Sequence, residues 1–209
     1  MFPDEDIPLI ALDIETRPMM RDDPVRLSVA KAASYSNLQV ITAIAMLTVA
    51  ESDDDQVVVF SGAEDRMLTD LDRALSRSAN HMLLTFNGMR HDLPIIELRA
   101  IHLGLFGHPG LSGLQARRHL DLMRLIPFPC SLEALAASTN LSPPLTQAGL
   151  TAPEKCELDV LTTYLAYLQL REFRTGNTAR LMRLWRGLAN DIRKRRRAGH
   201  LAHLFRDID

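Results

Sequence analysis

Residues 7–16, Ile-Pro-Leu-Ile-Ala-Leu-Asp-Ile-Glu-Thr, decide the fold class of this 209-residue chain. The apolar run after Pro8 predicts a buried central strand over residues 7–14, because a half-exposed strand would alternate apolar with polar residues. Asp13 and Glu15 stand at the end of this strand, and side chains two apart in a strand point to the same face. Two adjacent carboxylates repel each other unless a cation neutralises them. The alternative is a solvated strand end that binds nothing.

The rest of the sequence predicts a mixed α/β sheet flanked by helices. Runs rich in β-branched residues indicate strands at 38–50 and 56–60, and residues 81–86 indicate a fourth short strand before the Asn-Gly turn. Residues 120–123 form a short strand or the start of a helix. Apolar residues spaced by three and four, together with capping residues, indicate helices. The predicted helices cover about residues 61–78, 93–105, 131–135, 152–171 and 178–197. The predicted loops cover residues 17–37, 107–113 and 143–151.

The net charge of −2 conceals two opposed regions. Residues 171–209 contain 11 basic and 4 acidic residues, a net charge of +7, whereas residues 1–170 carry −9. A basic end on an acidic body suggests that one end meets a polyanion while the other holds cations. A solvated helix face is the alternative explanation of the arginines between Arg180 and Arg197.

Composition excludes several classes of protein. The sequence has no run of 18 apolar residues, which argues against a transmembrane helix, and its acidic first six residues do not resemble a secretory signal. Two cysteines, Cys130 and Cys156, are too few for a disulfide framework or a cysteine-rich zinc site. The expected location is therefore the reducing cytoplasm, with no membrane partner.

Two further segments contain an acidic residue next to a predicted strand or helix with apolar residues. Asp92 ends the segment Asn-Gly-Met-Arg-His-Asp at 87–92, for which a turn with a helix cap is the structural alternative. Asp159 lies on the edge of the apolar stripe of the helix predicted at 152–171, where a salt bridge would be the simpler explanation. Four carboxylates from three segments could instead converge on Mg²⁺ or Mn²⁺, which prefer oxygen ligands. Two such ions about 4 Å apart suit phosphodiester hydrolysis.

Three motifs in this order resemble the DEDD superfamily of 3′–5′ exonucleases, which have a ribonuclease H-like fold. The motifs are Ala-Leu-Asp-Ile-Glu-Thr at 11–16, Thr-Phe-Asn-Gly-Met-Arg-His-Asp-Leu-Pro at 85–94, and Lys-Cys-Glu-Leu-Asp-Val-Leu-Thr-Thr-Tyr-Leu at 155–165. Within the superfamily the chain most resembles the proofreading domains of family-B DNA polymerases and their stand-alone bacterial relatives, over roughly residues 8–171. The resemblance implies a mixed five-stranded sheet flanked by helices. A basic C-terminal helix lies outside the match.

The resemblance also implies a role for each matched residue. Asp13, Glu15 and Asp159 would hold one Mg²⁺ or Mn²⁺ ion. Asp13 would bridge to a second ion, which Asp92 would hold partly through water. The residues expected to contact the 3′-terminal nucleotide are Thr16, Asn87, Arg90 and His91. The implied reaction removes nucleoside monophosphates from the 3′ ends of single-stranded DNA, with RNA as the alternative substrate.

Lys155 departs from the family pattern. The family places a Tyr four residues before the last Asp, or a His five before it, to hydrogen-bond the attacking water. Here these positions are Lys155 and Glu154. An ammonium donates hydrogen bonds but cannot accept them, so Lys155 cannot fully replace a phenol. Three outcomes stay open: Lys155 orients water or contacts the scissile phosphate, it neutralises the carboxylates and weakens metal binding, or it turns to solvent.

Two other functions compete with the exonuclease. A weakened or non-catalytic nucleic-acid-binding relative would explain Lys155 and the basic end, although all four carboxylates are present. A phosphatase of the haloacid dehalogenase type would open with Asp-x-Asp, and Glu15 in place of the second Asp argues against it. The expected domains are an exonuclease domain over residues 1–175 and a basic helical extension over residues 176–209, packed on or next to it.

Overall fold

A computed structural model describes residues 7–19, 39–49, 56–126, 129–139, 141, 149–176, 178–194 and 199–205. Its strands are β1 (Leu9–Pro18), β2 (Gln39–Val49), β3 (Gln56–Ser61), β4 (Met82–Thr85) and β5 (His119–Asp121). Its α-helices are α1 (Glu64–Arg77), α2 (Asp92–His102), α3 (Pro109–Ser112), α4 (Leu132–Ser138), α5 (Ala152–Thr175) and α6 (Thr178–Lys194). Short 3-10 helices cover Leu114–Ala116, Leu122–Arg124 and Gly199–Phe205.

The five strands form one mixed sheet in the order β3-β2-β1-β4-β5, which confirms the predicted architecture. The strand β1 pairs antiparallel with β2 and parallel with β4, so it lies at the centre of the sheet. The strand β5 pairs parallel with β4, and this settles residues 119–121 as a strand rather than a helix start. The carboxyl ends of β1, β4 and β5 therefore point to the same edge of the sheet, where α/β folds bind ligands.

Alternate residues of β1 belong to two separate cores, one on each face of the sheet. Leu9 and Ala11 pack in the core that contains α5, whereas Ile10, Leu12 and Ile14 pack in the core that contains α1 and α2. This two-sided burial explains the near-continuous apolar run that predicted a central strand.

The strand β1 is longer than predicted, and this corrects the position of the carboxylate pair. It continues to Pro18, because its antiparallel pairing with β2 extends beyond its parallel pairing with β4, which ends at Ala11. Asp13 and Glu15 therefore lie within the strand, on a stretch whose β4 side has no strand partner among the described residues. A β-bulge in β2 adjoins them, where the Thr42 hydroxyl donates to the Glu15 carbonyl at 3.1 Å.

Other expectations change at the ends of elements. The predicted loop at 107–113 contains α3, and residues 122–124 form a 3-10 helix rather than continuing the strand. The described helix α6 ends at Lys194. The parts of the predicted loops at 20–37 and 143–148 lie outside the described residues.

A buried ion pair holds α2 against α1 and β2. The Arg99 guanidinium donates to both oxygens of Glu64, at 2.8 and 2.6 Å, and the Ile41 amide donates to the same carboxylate at 2.8 Å. Such pairing satisfies charges that would otherwise be costly to bury. It fixes the helix whose first residue is Asp92.

The described part of the C-terminal region packs on α5. Leu188 of α6 and Leu201 of the last 3-10 helix belong to the same core as α5, and Nε2 of His200 lies 3.1 Å from a Glu157 oxygen. Gly176 ends α5 in the left-handed conformation, φ 73°, which glycine adopts without strain. The division between residues 1–175 and 176–209 stays a prediction. Among the described helices, none is long and apolar enough to span a membrane.

Candidate metal centre

The face of β1 that packs on α5 changes from apolar to acidic along the strand. Leu9 and Ala11 lie in the core with α5, and the next side chains on that face are those of Asp13 and Glu15. Asp159 approaches them from α5. One carboxylate oxygen from each of these three acids lies within 4.8 Å of the others. The carboxylate pair predicted on the strand thus meets the carboxylate predicted on the helix.

The start of α5 is fixed by two contacts. The Glu154 carboxylate accepts a hydrogen bond from the Thr151 backbone N–H at 2.9 Å, as in a capping box, and a second from the Thr151 hydroxyl at 2.7 Å. The buried Cys156 thiol donates to the Asp13 carbonyl at 3.1 Å, and burial raises the pKa of this thiol, which keeps it protonated. The helix is therefore tied to β1 beside the acidic cluster, and Glu154 caps its own helix.

Asp92 begins α2 beyond the turn that follows β4, and it is only 4% exposed. It does not belong to the set of three mutually close carboxylates. Its charge nevertheless acts on Asp13, a member of that set. Burial is the main cause that raises the pKa of Asp13, and Asp92 is the strongest of the acidic neighbours that add to it. The fourth predicted carboxylate therefore acts electrostatically on Asp13, but it is not one of the three acids whose oxygens lie within 4.8 Å of one another.

Two buried oxygens at this cluster fit a bound cation. Oδ2 of Asp13 and Oδ2 of Asp92 have no hydrogen-bond partner among the described residues. Burial raises the pKa of Asp92 although the contact with His91 opposes the shift. A buried carboxylate oxygen without a partner is costly. Oxygen donors of this kind suit Mg²⁺ or Mn²⁺, so the residues present fit the ions that the sequence implied.

Lys155 reaches the same cluster from one turn before Asp159. Its Nζ lies 2.7 Å from Oε1 of Glu15, and its side chain is 38% exposed. Partial burial opposes its charge, but the hydrogen bond to Glu15 and the nearby carboxylates outweigh burial and raise the pKa of Lys155. Lys155 is therefore a cation at neutral pH, paired with the cluster rather than turned to solvent.

A buried aspartate that sequence reasoning did not single out shapes the turn before Asp92. Asp121 ends β5, and its carboxylate accepts hydrogen bonds from the amides of Asn87 at 2.7 Å, Met89 at 3.2 Å and Met123 at 3.1 Å. The available signal was its position between Leu120 and Leu122, inside the segment 120–123 that the sequence predicts as a short strand or helix start. Its three amide partners depend on the pairing of β5 with β4, which the sequence does not show.

The turn after β4 is tight. Asn87 has a positive φ of 62°, a conformation that asparagine tolerates better than most residues. The Gly88 amide donates to the Thr85 hydroxyl at 3.2 Å, and a Cβ on Gly88 would lie 2.5 Å from the Thr85 side chain. The Thr85 hydroxyl also lies 2.8 Å from Nε2 of His119. These contacts explain the Asn-Gly sequence and fix the direction in which the turn leads to α2.

A cleft of about 450 Å³ adjoins this turn. Its described lining residues are Asn87, Arg90, Asp121, Met123, Arg124, Ile126 and Pro129. Two of them, Asn87 and Arg90, were predicted to contact substrate, whereas Arg124 was not. His91 instead faces Asp92, with Nδ1 2.7 Å from Oδ1. Thr16 is partly buried at the β-bulge.

The basic end is only partly described. Arg183 and Arg186 are exposed on α6. The side chains of Arg180 and of residues 191–198 lie outside the described set, so the proposed polyanion track over Arg180 to Arg197 stays a prediction.

The sheet order and the helices on both faces define a ribonuclease H-like α/β fold. The chain is similar in structure to the family B DNA polymerase from the hyperthermophilic archaeon Pyrobaculum calidifontis, with a TM-score of 0.54 and 17% sequence identity. The match covers 81% of this chain and 26% of that polymerase, so the chain spans about a quarter of the polymerase's length. At this identity the similarity establishes the fold alone. The sequence matches no protein-family model, and no curated protein matches it.

Proposed function

We propose that this chain is a 3′–5′ exonuclease dependent on divalent metal ions, which releases nucleoside monophosphates from the ends of single-stranded DNA. The observation that carries the proposal is the convergence of Asp13, Glu15 and Asp159 within 4.8 Å, with a buried Asp13 oxygen that has no hydrogen-bond partner in the described part of the chain. The distant structural similarity to a DNA polymerase supports a relation to enzymes that act on nucleic acids. The three motifs, read in order, favour the exonuclease among such enzymes.

The catalytic state would contain two Mg²⁺ or Mn²⁺ ions. Asp13, Glu15 and Asp159 would hold one, and Asp92 together with Asp13 would hold the other. When bound, such ions activate water and stabilise the charge that develops on the phosphate oxygens. The protein supplies carboxylates from β1, α2 and α5, and it keeps two of their oxygens buried.

The cleft beside Asn87 is the proposed path of the substrate strand. Arg90 and Arg124 would contact phosphates without reading sequence, and the apolar wall of Met123 and Ile126 suits a nucleobase. Its volume falls in the range of small-ligand sites. His91 and Thr16 would frame the terminal nucleotide from the metal side. RNA is the alternative substrate, because these contacts do not address the sugar.

A weakened or inactive nucleic-acid-binding relative is the second candidate function. The ion pair between Lys155 and Glu15 favours it, because an ammonium stands against a predicted metal ligand. Lys155 can donate a hydrogen bond to water or to a phosphate, but as a cation it cannot accept a proton. The level of activity, rather than the fold, separates this candidate from the first.

The test is stepwise shortening of a 5′-labelled single-stranded oligonucleotide in Mn²⁺. Wild type should produce a ladder of shortened fragments, Asp13→Ala should produce none, and Asp70→Ala, at a surface position on α1, should match wild type. Wild type without activity, combined with a ladder from Lys155→Tyr, would favour the weakened relative. Equal shortening by wild type and Asp13→Ala would refute the site, and binding without shortening in every variant would favour a binding module.

The proposed location is the cytoplasm. Both cysteines, Cys130 and Cys156, are free thiols, and Cys156 uses its S–H as a donor within the core. A reducing compartment keeps such thiols intact. Residues 176–209 are proposed as an extension of the exonuclease domain that contributes basic surface to substrate binding.

A further inference from the structure

Two carboxylates of the acidic cluster already have a nitrogen partner within the chain. Nζ of Lys155 lies 2.7 Å from Oε1 of Glu15, and Nδ1 of His91 lies 2.7 Å from Oδ1 of Asp92. The Lys155 contact covers the side of the cluster formed by β1 and α5. A divalent ion that used this Glu15 oxygen would lie next to an ammonium and would be repelled by it.

Two buried oxygens of the cluster have no hydrogen-bond partner among the described residues. They are Oδ2 of Asp13 and Oδ2 of Asp92, and the charge of Asp92 acts more strongly on Asp13 than that of any other acid. Among the described residues, the nitrogen at hydrogen-bond distance from Asp92 is Nδ1 of His91, an imidazole rather than an ammonium. The cluster is therefore asymmetric. The side of Glu15 has the permanently charged Lys155 ammonium, whereas the side of Asp92 has the His91 imidazole, which can be neutral, and buried oxygens with no hydrogen-bond partner among the described residues.

We propose that the Lys155 ammonium occupies one of the two cation positions of the cluster, so that the resting protein binds one divalent ion tightly and a second only after Lys155 leaves Glu15. The tight ion binds on the side of Asp13 and Asp92. The weak ion binds on the side of Asp13, Glu15 and Asp159. This inference rests on the proposed function in one respect, that the cluster binds divalent metal.

The lysine side chain is suited to this exchange. Its four-carbon stem is flexible and its side chain is 38% exposed, so the ammonium can move to solvent without unfolding the helix. The fixed capping box at Thr151 and the Cys156 contact hold the backbone of α5 in place while the side chain moves. A tyrosine or histidine at this point would carry no such permanent charge. The consequence is a metal requirement with two well-separated affinities.

The test measures metal binding without nucleic acid. Mn²⁺ is titrated into the full-length, metal-free protein, with stoichiometry from calorimetry and from the electron paramagnetic resonance of free Mn²⁺. Three variants accompany wild type: Lys155→Met removes the charge at similar length, Lys155→Arg retains it, and Asp92→Asn alters the proposed tight position.

Wild type should bind one Mn²⁺ tightly and a second at least about tenfold more weakly, because a like charge a few ångströms away costs more than 1.4 kcal/mol, the equivalent of tenfold. Lys155→Met should tighten the second ion at least about tenfold, and Lys155→Arg should behave like wild type. Asp92→Asn should weaken the first ion. Two equal ions in wild type, or identical titrations of wild type and Lys155→Met, would overturn the inference.

The result also separates this inference from the exonuclease. If the Mn²⁺ titrations give the expected affinities but the protein does not shorten DNA, the inference is retained and the proposed reaction is refuted. If the protein shortens DNA but the affinity for the second ion is the same in wild type and Lys155→Met, the inference is refuted and the proposed reaction is retained. The absence of Mn²⁺ binding in every variant would overturn both.

Discussion

Replacement of Asp121 by asparagine tests how the turn that leads to Asp92 is held in place. Asp121 is 5% exposed, and its carboxylate accepts hydrogen bonds from three backbone N–H groups, those of Asn87, Met89 and Met123. Oδ1 accepts two of them and Oδ2 accepts the third, that of Met89. Asparagine retains one acceptor oxygen but places an N–H₂ group opposite the third amide.

The magnitude follows from these contacts. Hydrogen bonds to a charged acceptor contribute roughly 1.5–3 kcal/mol, and an unsatisfied buried donor costs roughly 1–3 kcal/mol. Asp121→Asn keeps two bonds in weaker, neutral form and loses the bond to Met89. The free energy of unfolding should therefore fall by about 3 kcal/mol. Nuclease activity should also fall at a temperature where the variant is fully folded, so the loss is not due to unfolding. The reason is that the same turn sets the position of Asp92.

The assay is urea denaturation followed by circular dichroism, with activity measured well below the transition. Asp70→Asn is the matched control, since Asp70 accepts from Arg73 on the exposed face of α1 and should change stability by less than about 1 kcal/mol. An Asp121→Asn variant as stable and as active as Asp70→Asn would refute the positioning argument.

Three further predictions concern the site and its cleft. In the metal-free protein at neutral pH, Asp13→Asn should have a free energy of unfolding about 1–2 kcal/mol higher than wild type. Burial raises the pKa of Asp13 in the folded protein, so folding favours its protonated form. This favourable contribution is complete below the ordinary pKa of aspartate and is lost as the pH rises through the raised pKa, where the buried carboxylate becomes charged. The difference should shrink towards acidic pH in thermal melts, and a pH-independent difference would contradict this. Gly88→Ala should lose about 1–3 kcal/mol in urea denaturation, since the new Cβ would lie 2.5 Å from Thr85, and an unchanged midpoint would show that the turn can adjust. Arg124→Ala should raise the KM for single-stranded DNA several-fold with little effect on kcat, and a loss confined to kcat would place Arg124 elsewhere in the mechanism.

The central features of the fold could be predicted because burial leaves a direct trace in sequence. The apolar run before Asp13 marks a strand covered on both faces, and this is what β1 is. The stripe of α5 marks a helix on one of those faces. The approach of Asp159 to Asp13 follows from these two predictions together with the motifs.

Features that depend on tertiary pairing could not be predicted. The extension of β1 to Pro18 depends on its register with β2, and the three partners of Asp121 depend on the adjacency of β4 and β5. The direction of the Lys155 side chain depends on Glu15 lying across the helix–strand interface, a contact between residues 140 positions apart. Arg124 joins the cleft only because the 3-10 helix follows β5 towards the turn at Asn87.

The release of nucleoside monophosphates from unlabelled single-stranded DNA tests the central claim most directly. The reaction is followed by chromatography, with wild type and Asp13→Asn each measured in Mn²⁺ and after chelation of the metal. The account predicts mononucleotides only from wild type with Mn²⁺, because an oxygen of Asp13 lies within 4.8 Å of those of Glu15 and Asp159 and Asp13 is proposed to hold both ions. Mononucleotides from wild type after chelation, or from Asp13→Asn at the wild-type rate, would contradict it.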